Sequence, residues 1–315
     1  MTGCQVGGTS LREPSFRQSL LLAAALVTSA ASAARAADYV GDAACTACHD
    51  KLQAPYAATV HGKLFHEDAR SEAMRHGCEG CHGPGSAHVD AGGGKGVGGL
   101  ITFRAEGPEA IERENGVCLA CHSAGARTHW DGSTHQMRDV ACTSCHAVMR
   151  AVSPHGLLTR PSESQTCAQC HLLESSKTMR YGHMPLRAGS LPERDGKMSC
   201  LSCHNPHGTV SESLLAAHSI NEGCYTCHAD KRGPFLWEHA PVPENCLNCH
   251  DPHGSSREAM LRMSPPRLCQ TCHDPTRHPT DPRLPTNQFV IGSGCMQCHV
   301  NIHGSNHPSG FGLTR

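Results

Sequence analysis

Twenty of the 21 cysteines fall into one pattern, Cys-x-x-Cys-His, repeated ten times. The sets are Cys45, Cys48 and His49; Cys78, Cys81 and His82; Cys118, Cys121 and His122; Cys142, Cys145 and His146; and Cys167, Cys170 and His171. They continue with Cys200, Cys203 and His204; Cys224, Cys227 and His228; Cys246, Cys249 and His250; Cys269, Cys272 and His273; and Cys295, Cys298 and His299. At this chain's Cys and His frequencies, chance would supply about 0.1 such motif. Two thiols three residues apart can form thioethers to the two vinyl groups of one haem, and the adjacent His then reaches the iron. Ten covalently bound c-type haems are the expectation. Zinc ribbons need four ligands per metal, and thioredoxin-like pairs need no His beside them. A disulfide-built protein leaves all ten of these His without a role.

Ten proximal His leave fifteen others, enough to give every iron a second imidazole. His207 and His253 each lie three residues after a proximal His. Proximal and distal ligands occupy opposite faces of one haem, so neither can reach round its own disc, and both are expected to serve a neighbouring haem. Iron held by two imidazoles exchanges electrons and has no open position for a substrate. An electron-transfer protein without a catalytic site of its own is therefore expected.

The rest of the composition agrees. Leu, Ile, Val and Phe make up under a sixth of the chain, and there are only six Phe, two Trp and four Tyr. Such a chain cannot build a conventional apolar core. Its Cys and His content is equally unlike a disordered, solvating chain. The haems are expected to fill the interior. The net charge of −1 offers no basic footprint for nucleic acid.

Residues 1–36 read as an export signal. Arg12 and Arg17 precede an apolar run from Leu20 to Val27, and small residues end in Ala34-Arg35-Ala36. Cleavage is placed after Ala36, with Ala33 as the alternative. The run is shorter than the ~20 residues a membrane span needs. Residues 37–315 form the decahaem domain, with two pentahaem halves, about 37–180 and 181–315, suggested by the 33-residue step from Cys167 to Cys200. The Gly-rich run Ala91–Gly99 reads as a flexible loop. Pro108 to Asn115 reads as a short helix ended by Gly116. Strand-like alternation is nearly absent, which excludes a transmembrane β-barrel.

Several stretches are similar to the MtrA/DmsE-type decahaem cytochromes, a family that includes related iron-oxidation proteins. They are Lys231-Arg232-Gly233-Pro234-Phe235-Leu236-Trp237-Glu238-His239-Ala240-Pro241-Val242, Asn205-Pro206-His207-Gly208, and His303-Gly304-Ser305-Asn306-His307-Pro308-Ser309-Gly310. Cys78-Glu79-Gly80-Cys81-His82-Gly83-Pro84 with His88, and Ile101-Thr102-Phe103, are also family-like. The resemblance covers essentially the whole of residues 37–315. It implies a multihaem cytochrome c fold: mostly short helices and loops wrapped around an elongated chain of ten covalent haems, with little or no β-sheet. It further implies a protein exported to the periplasm, associated with the outer membrane and seated in a β-barrel porin. Such a protein passes electrons between periplasmic or inner-membrane cytochromes and a donor or acceptor outside the cell, such as iron. A cell-surface multihaem cytochrome is a further candidate partner.

The resemblance also selects distal His candidates: His61, His88, His135, His183, His207, His239, His253, His278, His303 and His307. His66, His76, His129 and His218 match nothing in the pattern. Family members tend to carry His-x-x-His after the fourth motif, whereas here Ala147, Val148 and Met149 follow His146. Either His155 or Met149 takes that role. With His155 the candidates number eleven for ten irons, and one of His303 and His307 is expected to be spare. A soluble periplasmic electron shuttle or store is the alternative function. A multihaem reductase is disfavoured by the supply of His.

Overall fold

Every motif closes on itself as one helical turn. In a computed structural model of the chain, which describes residues 37–104, 106–178, 180–183, 198–274 and 295–314, the N–H of each motif His donates to the carbonyl of the first Cys. The ten distances run from 2.9 to 3.1 Å. This i to i−4 closure puts both thiols and the imidazole on one side of a single turn. Most other helices are as short as the motifs demand. The longest is Pro108–Leu119, with Pro in its first turn. It runs past Gly116, where the sequence suggests a stop, and so carries Cys118 on its last turn. Gly116 has open space around it and keeps helical geometry. Among the described residues there is no strand, only isolated bridges such as His204 with Leu215 and His250 with Leu261.

Consecutive motifs are neighbours. The thiols of Cys45 and Cys78, Cys118 and Cys142, Cys167 and Cys200, Cys224 and Cys246, and Cys269 and Cys295 lie beside one another. Between these pairs, the second Cys of each even motif lies within electrostatic reach of the next motif's thiols: Cys81 of Cys118 and Cys121, Cys145 of Cys170, Cys203 of Cys224 and Cys227, and Cys249 of Cys272. The string from first motif to tenth is unbroken, and its repeat is two motifs.

A polar side chain three residues before an odd motif locks each of three such pairs. Asp42, Asn115 and Asn221 accept the backbone N–H of Cys78, Cys142 and Cys246 at 2.7, 2.8 and 2.8 Å. Asn221 is buried and its amide also donates to the carbonyls of Val242 and Pro243, at 3.0 and 3.1 Å. Asn221→Ala leaves these backbone groups unpaired and is expected to destabilise the protein by about 1–3 kcal/mol. Thermal unfolding of the holoprotein measures this. Asn221→Asp keeps the bond to Cys246, as Asp42 does for Cys78, and should recover part of the loss; a loss no smaller than that of Asn221→Ala would refute the role.

Side chains alone make little core. Tyr56, Trp130 and Leu261 are the buried large apolar residues among those described. Glu79, 3 % exposed, serves instead as a polar anchor. Its carboxylate accepts the N–H groups of Val40, Gly41 and Gly85 at 2.7–3.1 Å, tying residues 40 and 41 to the second motif. Residues 37–315 cluster as one unit. Lys177 and Asp251 form an ion pair at 3.2 Å across the 180/181 position.

Candidate metal centres

Eight motif imidazoles each face a second imidazole brought from elsewhere in the chain. His49 faces His88 with ring centres 6.5 Å apart, His122 faces His61 at 5.8 Å, and His146 faces His207 at 6.1 Å. His171 faces His135 at 6.1 Å, His204 faces His253 at 6.0 Å, and His228 faces His183 at 6.1 Å. His250 faces His303 at 6.1 Å and His273 faces His239 at 6.0 Å. Direct stacking looks different here: Tyr39 lies on His76 with ring centres 3.6 Å apart. An imidazole nitrogen sits about 2.0–2.1 Å from a bound transition metal and roughly 1.1 Å from its ring centre, so two imidazoles on one metal stand about 6 Å apart. The pairs have that spacing. Each lies beside two thiols on a shared turn, so the residues fit a covalently held haem with two axial imidazoles.

The rings are oriented for this chemistry. Nδ1 of His82, His146, His204 and His250 donates to the carbonyls of Ile101, Gly156, Ser213 and Ala259 at 2.7–2.9 Å. Nδ1 of the facing residues His88, His135, His183 and His239 does the same to Val97, Pro206, Pro252 and Ile302 at 2.7–3.1 Å. A donated Nδ1–H leaves Nε2 with its lone pair for a metal and raises its basicity. Burial pushes the pKa of His61, His239, His253 and His303 down, and that of His207 to about 4. These imidazoles are therefore neutral, as a ligand must be. His253 has a different second contact, with Nδ1 2.9 Å from the Glu174 carboxylate.

The Gly-rich run, read from sequence as a loop, is laid against His88. It supplies the Val97 carbonyl. At Gly98, with φ +77°, a Cβ would lie 2.3 Å from the His88 backbone nitrogen, so no larger residue allows this approach. The glycines that follow His207, His253 and His303 obey the same rule. At Gly208 and Gly254 a Cβ would run into the carbonyls of His129 and Lys177, and at Gly304 into the Phe235 ring.

The remaining candidates are placed otherwise. His155 is exposed and faces no other described imidazole. His307 bonds locally, its Nδ1 accepting from the Ser309 N–H at 3.1 Å. Met149 is 37 % exposed. His278 lies outside the described residues, and so does the export signal. His66 lies 3.5 Å from Asp42, and His76, besides Tyr39, lies 3.5 Å from Glu72. No described imidazole faces His82; its ring contact is the edge of Phe103 at 5.2 Å. The locking residues Asp42, Asn115 and Asn221 were not singled out by the sequence. Their signal is an Asx side chain three residues before the first Cys of an odd motif.

Known proteins match along most of the chain. A family model for a doubled CXXCH motif matches residues 191–233 and 239–278, and one for a cytochrome c-type protein, NrfB-like, matches residues 78–170. A multiheme cytochrome MtrA of Shewanella baltica (strain OS185) is 42% identical, over 87% of this chain and 81% of that protein.

Proposed function

The chain belongs to the MtrA family of multihaem c-type cytochromes, and from that premise we propose that it conducts electrons across the outer membrane inside a β-barrel porin. It is a multihaem electron-transfer protein. The proposed conduit joins periplasmic redox proteins to a donor or acceptor outside the cell. Its cofactors are ten c-type haems on the twenty motif cysteines, with the ten motif His as proximal ligands. The distal ligands are His88, His61, His207, His135, His253, His183, His303 and His239 for motifs one and three to nine in order.

The observation that carries this reading is the unbroken succession of neighbouring motifs, each with thiols within electrostatic reach of the next. Each haem iron takes up and releases one electron, and the protein's task is to hold donors and acceptors close and in fixed ligation. The neighbouring thiols do the first. The carbonyl-bonded imidazoles do the second. Among the described residues no helix is long and apolar enough to cross a membrane. Loop backbone at membrane depth needs a protein sheath, which a barrel partner supplies.

The test uses vesicles with reduced methyl viologen sealed inside and ferric citrate outside. Oxidation of the viologen is expected only when holoprotein and barrel are inserted together. No oxidation with both present, or equal oxidation without the barrel, overturns the reading; a cytochrome that stays soluble and barrel-free in cells favours a periplasmic shuttle.

A further inference from the structure

The even motifs share one construction. After motifs six, eight and ten the chain runs His207-Gly208-Thr209, His253-Gly254-Ser255 and His303-Gly304-Ser305. Each of these His faces the proximal imidazole two motifs back, His146, His204 and His250, with ring planes 13–14° apart. The carbonyl just before each one accepts Nδ1–H from the distal imidazole of the next odd motif. Pro206 takes His135, Pro252 takes His183 and Ile302 takes His239.

The loop after motif four keeps the frame and lacks the imidazole. His146 donates Nδ1–H to Gly156 and bridges to Leu158, as His204 does to Ser213 and Leu215 and His250 to Ala259 and Leu261. Ser153 donates to the carbonyl two residues on, as Thr209 and Ser255 do. In the other two loops the distal His stands two residues before that hydroxyl. Here the position is Ala151, followed by Val152 in place of Gly. Residues 147–152 contain no His, and Met149 is their one side chain with a ligating atom.

By the same construction this loop would serve motif two and would accept Nδ1–H from the distal imidazole of motif three. Among the described residues both services are missing. His82 faces no described imidazole. His61, which faces His122, has a buried Nδ1 with no hydrogen-bond partner. The two gaps lie on different residues and point to the same loop.

We infer that the haem held by Cys78 and Cys81 lacks a second imidazole and is the site in the string that takes a small diatomic ligand at its iron. Met149 is a weak thioether ligand if it reaches this iron, and a diatomic displaces it. Even positions four, six and eight are closed by imidazoles seated on glycine turns.

The inference rests on the motifs carrying haem, so the haem content of the same sample is measured first; fewer than ten haems indicts that premise and not this inference. The probe is carbon monoxide added to dithionite-reduced holoprotein, read by the Soret spectrum. Uptake is expected to include one equivalent for every ten haems. That equivalent disappears in Cys78→Ala/Cys81→Ala and in Ala151→His, which restores the imidazole the other loops carry. No uptake by the parent protein overturns the inference. So does an equivalent that persists in the double alanine variant, or in Ala151→His where the double variant does not fold.

Discussion

A chain in which Cys142 and Cys145 are both alanine is expected to hold nine haems and to lose trans-bilayer conduction. Motif four sits inside the string, with Cys142 beside Cys118 and Cys145 in electrostatic reach of Cys170. Removing it leaves motifs three and five as neighbours without a link. Tunnelling rates fall exponentially with the gap between redox groups, so one missing member in a single file stops the flow. A reductase-type protein with one working haem elsewhere would lose about a tenth of its absorbance and keep its rate. Haemochrome content and the vesicle assay separate these outcomes. Conduction at the parent rate would show that electrons do not pass through motif four.

His207→Met is expected to raise the potential of a single haem, the one on motif four, by on the order of 0.1–0.2 V. Axial ligands set haem potentials over a span of about 0.8 V, and exchanging His for Met moves them upward. At 59 mV per tenfold for one electron, this alters occupancy of that haem by roughly two to three powers of ten. The electron then rests on motif four, and flow in either direction slows. Potentiometric titration followed in the visible spectrum should move one component and leave the rest. His155→Ala, a change at an exposed imidazole that faces no other described one, should move none. A shift assigned to motif six would mean that His207 serves its own motif after all.

Much of the site is legible in the sequence because Cys-x-x-Cys-His is a local object, one turn closed by one hydrogen bond. The spacing argument about His207 is local too: three residues cannot pass round a disc, and the structure sets His207 opposite His146. The partner of each motif is a long-range fact. His61 and His122 are brought together by the path of everything between them, which no short pattern encodes. The locks at Asp42, Asn115 and Asn221 were missed because they become visible only when motifs are taken in pairs. Gly116 misled because glycine lowers helix propensity without forbidding a helix, and the helix goes on to deliver Cys118. The Gly-rich run is a loop of turns, and the sequence left out only that its glycines serve close approach to His88.

The order of partners along the chain carries a consequence for how the protein matures. The chain emerges from its N-terminus. For motifs three, five, seven and nine, the facing imidazoles His61, His135, His183 and His239 precede the motif. A haem attached there would find its second ligand already present. For motifs one, four, six and eight, the facing imidazoles His88, His207, His253 and His303 come later. His207 follows His146 by 61 residues, the difference between the two positions. Each haem held there would lack its second imidazole until a stretch of chain holding one or two further motifs has arrived. Assembly thus alternates between haems completed at once and haems completed on credit from the next pair, and whatever attaches them must tolerate the open ones in the interval.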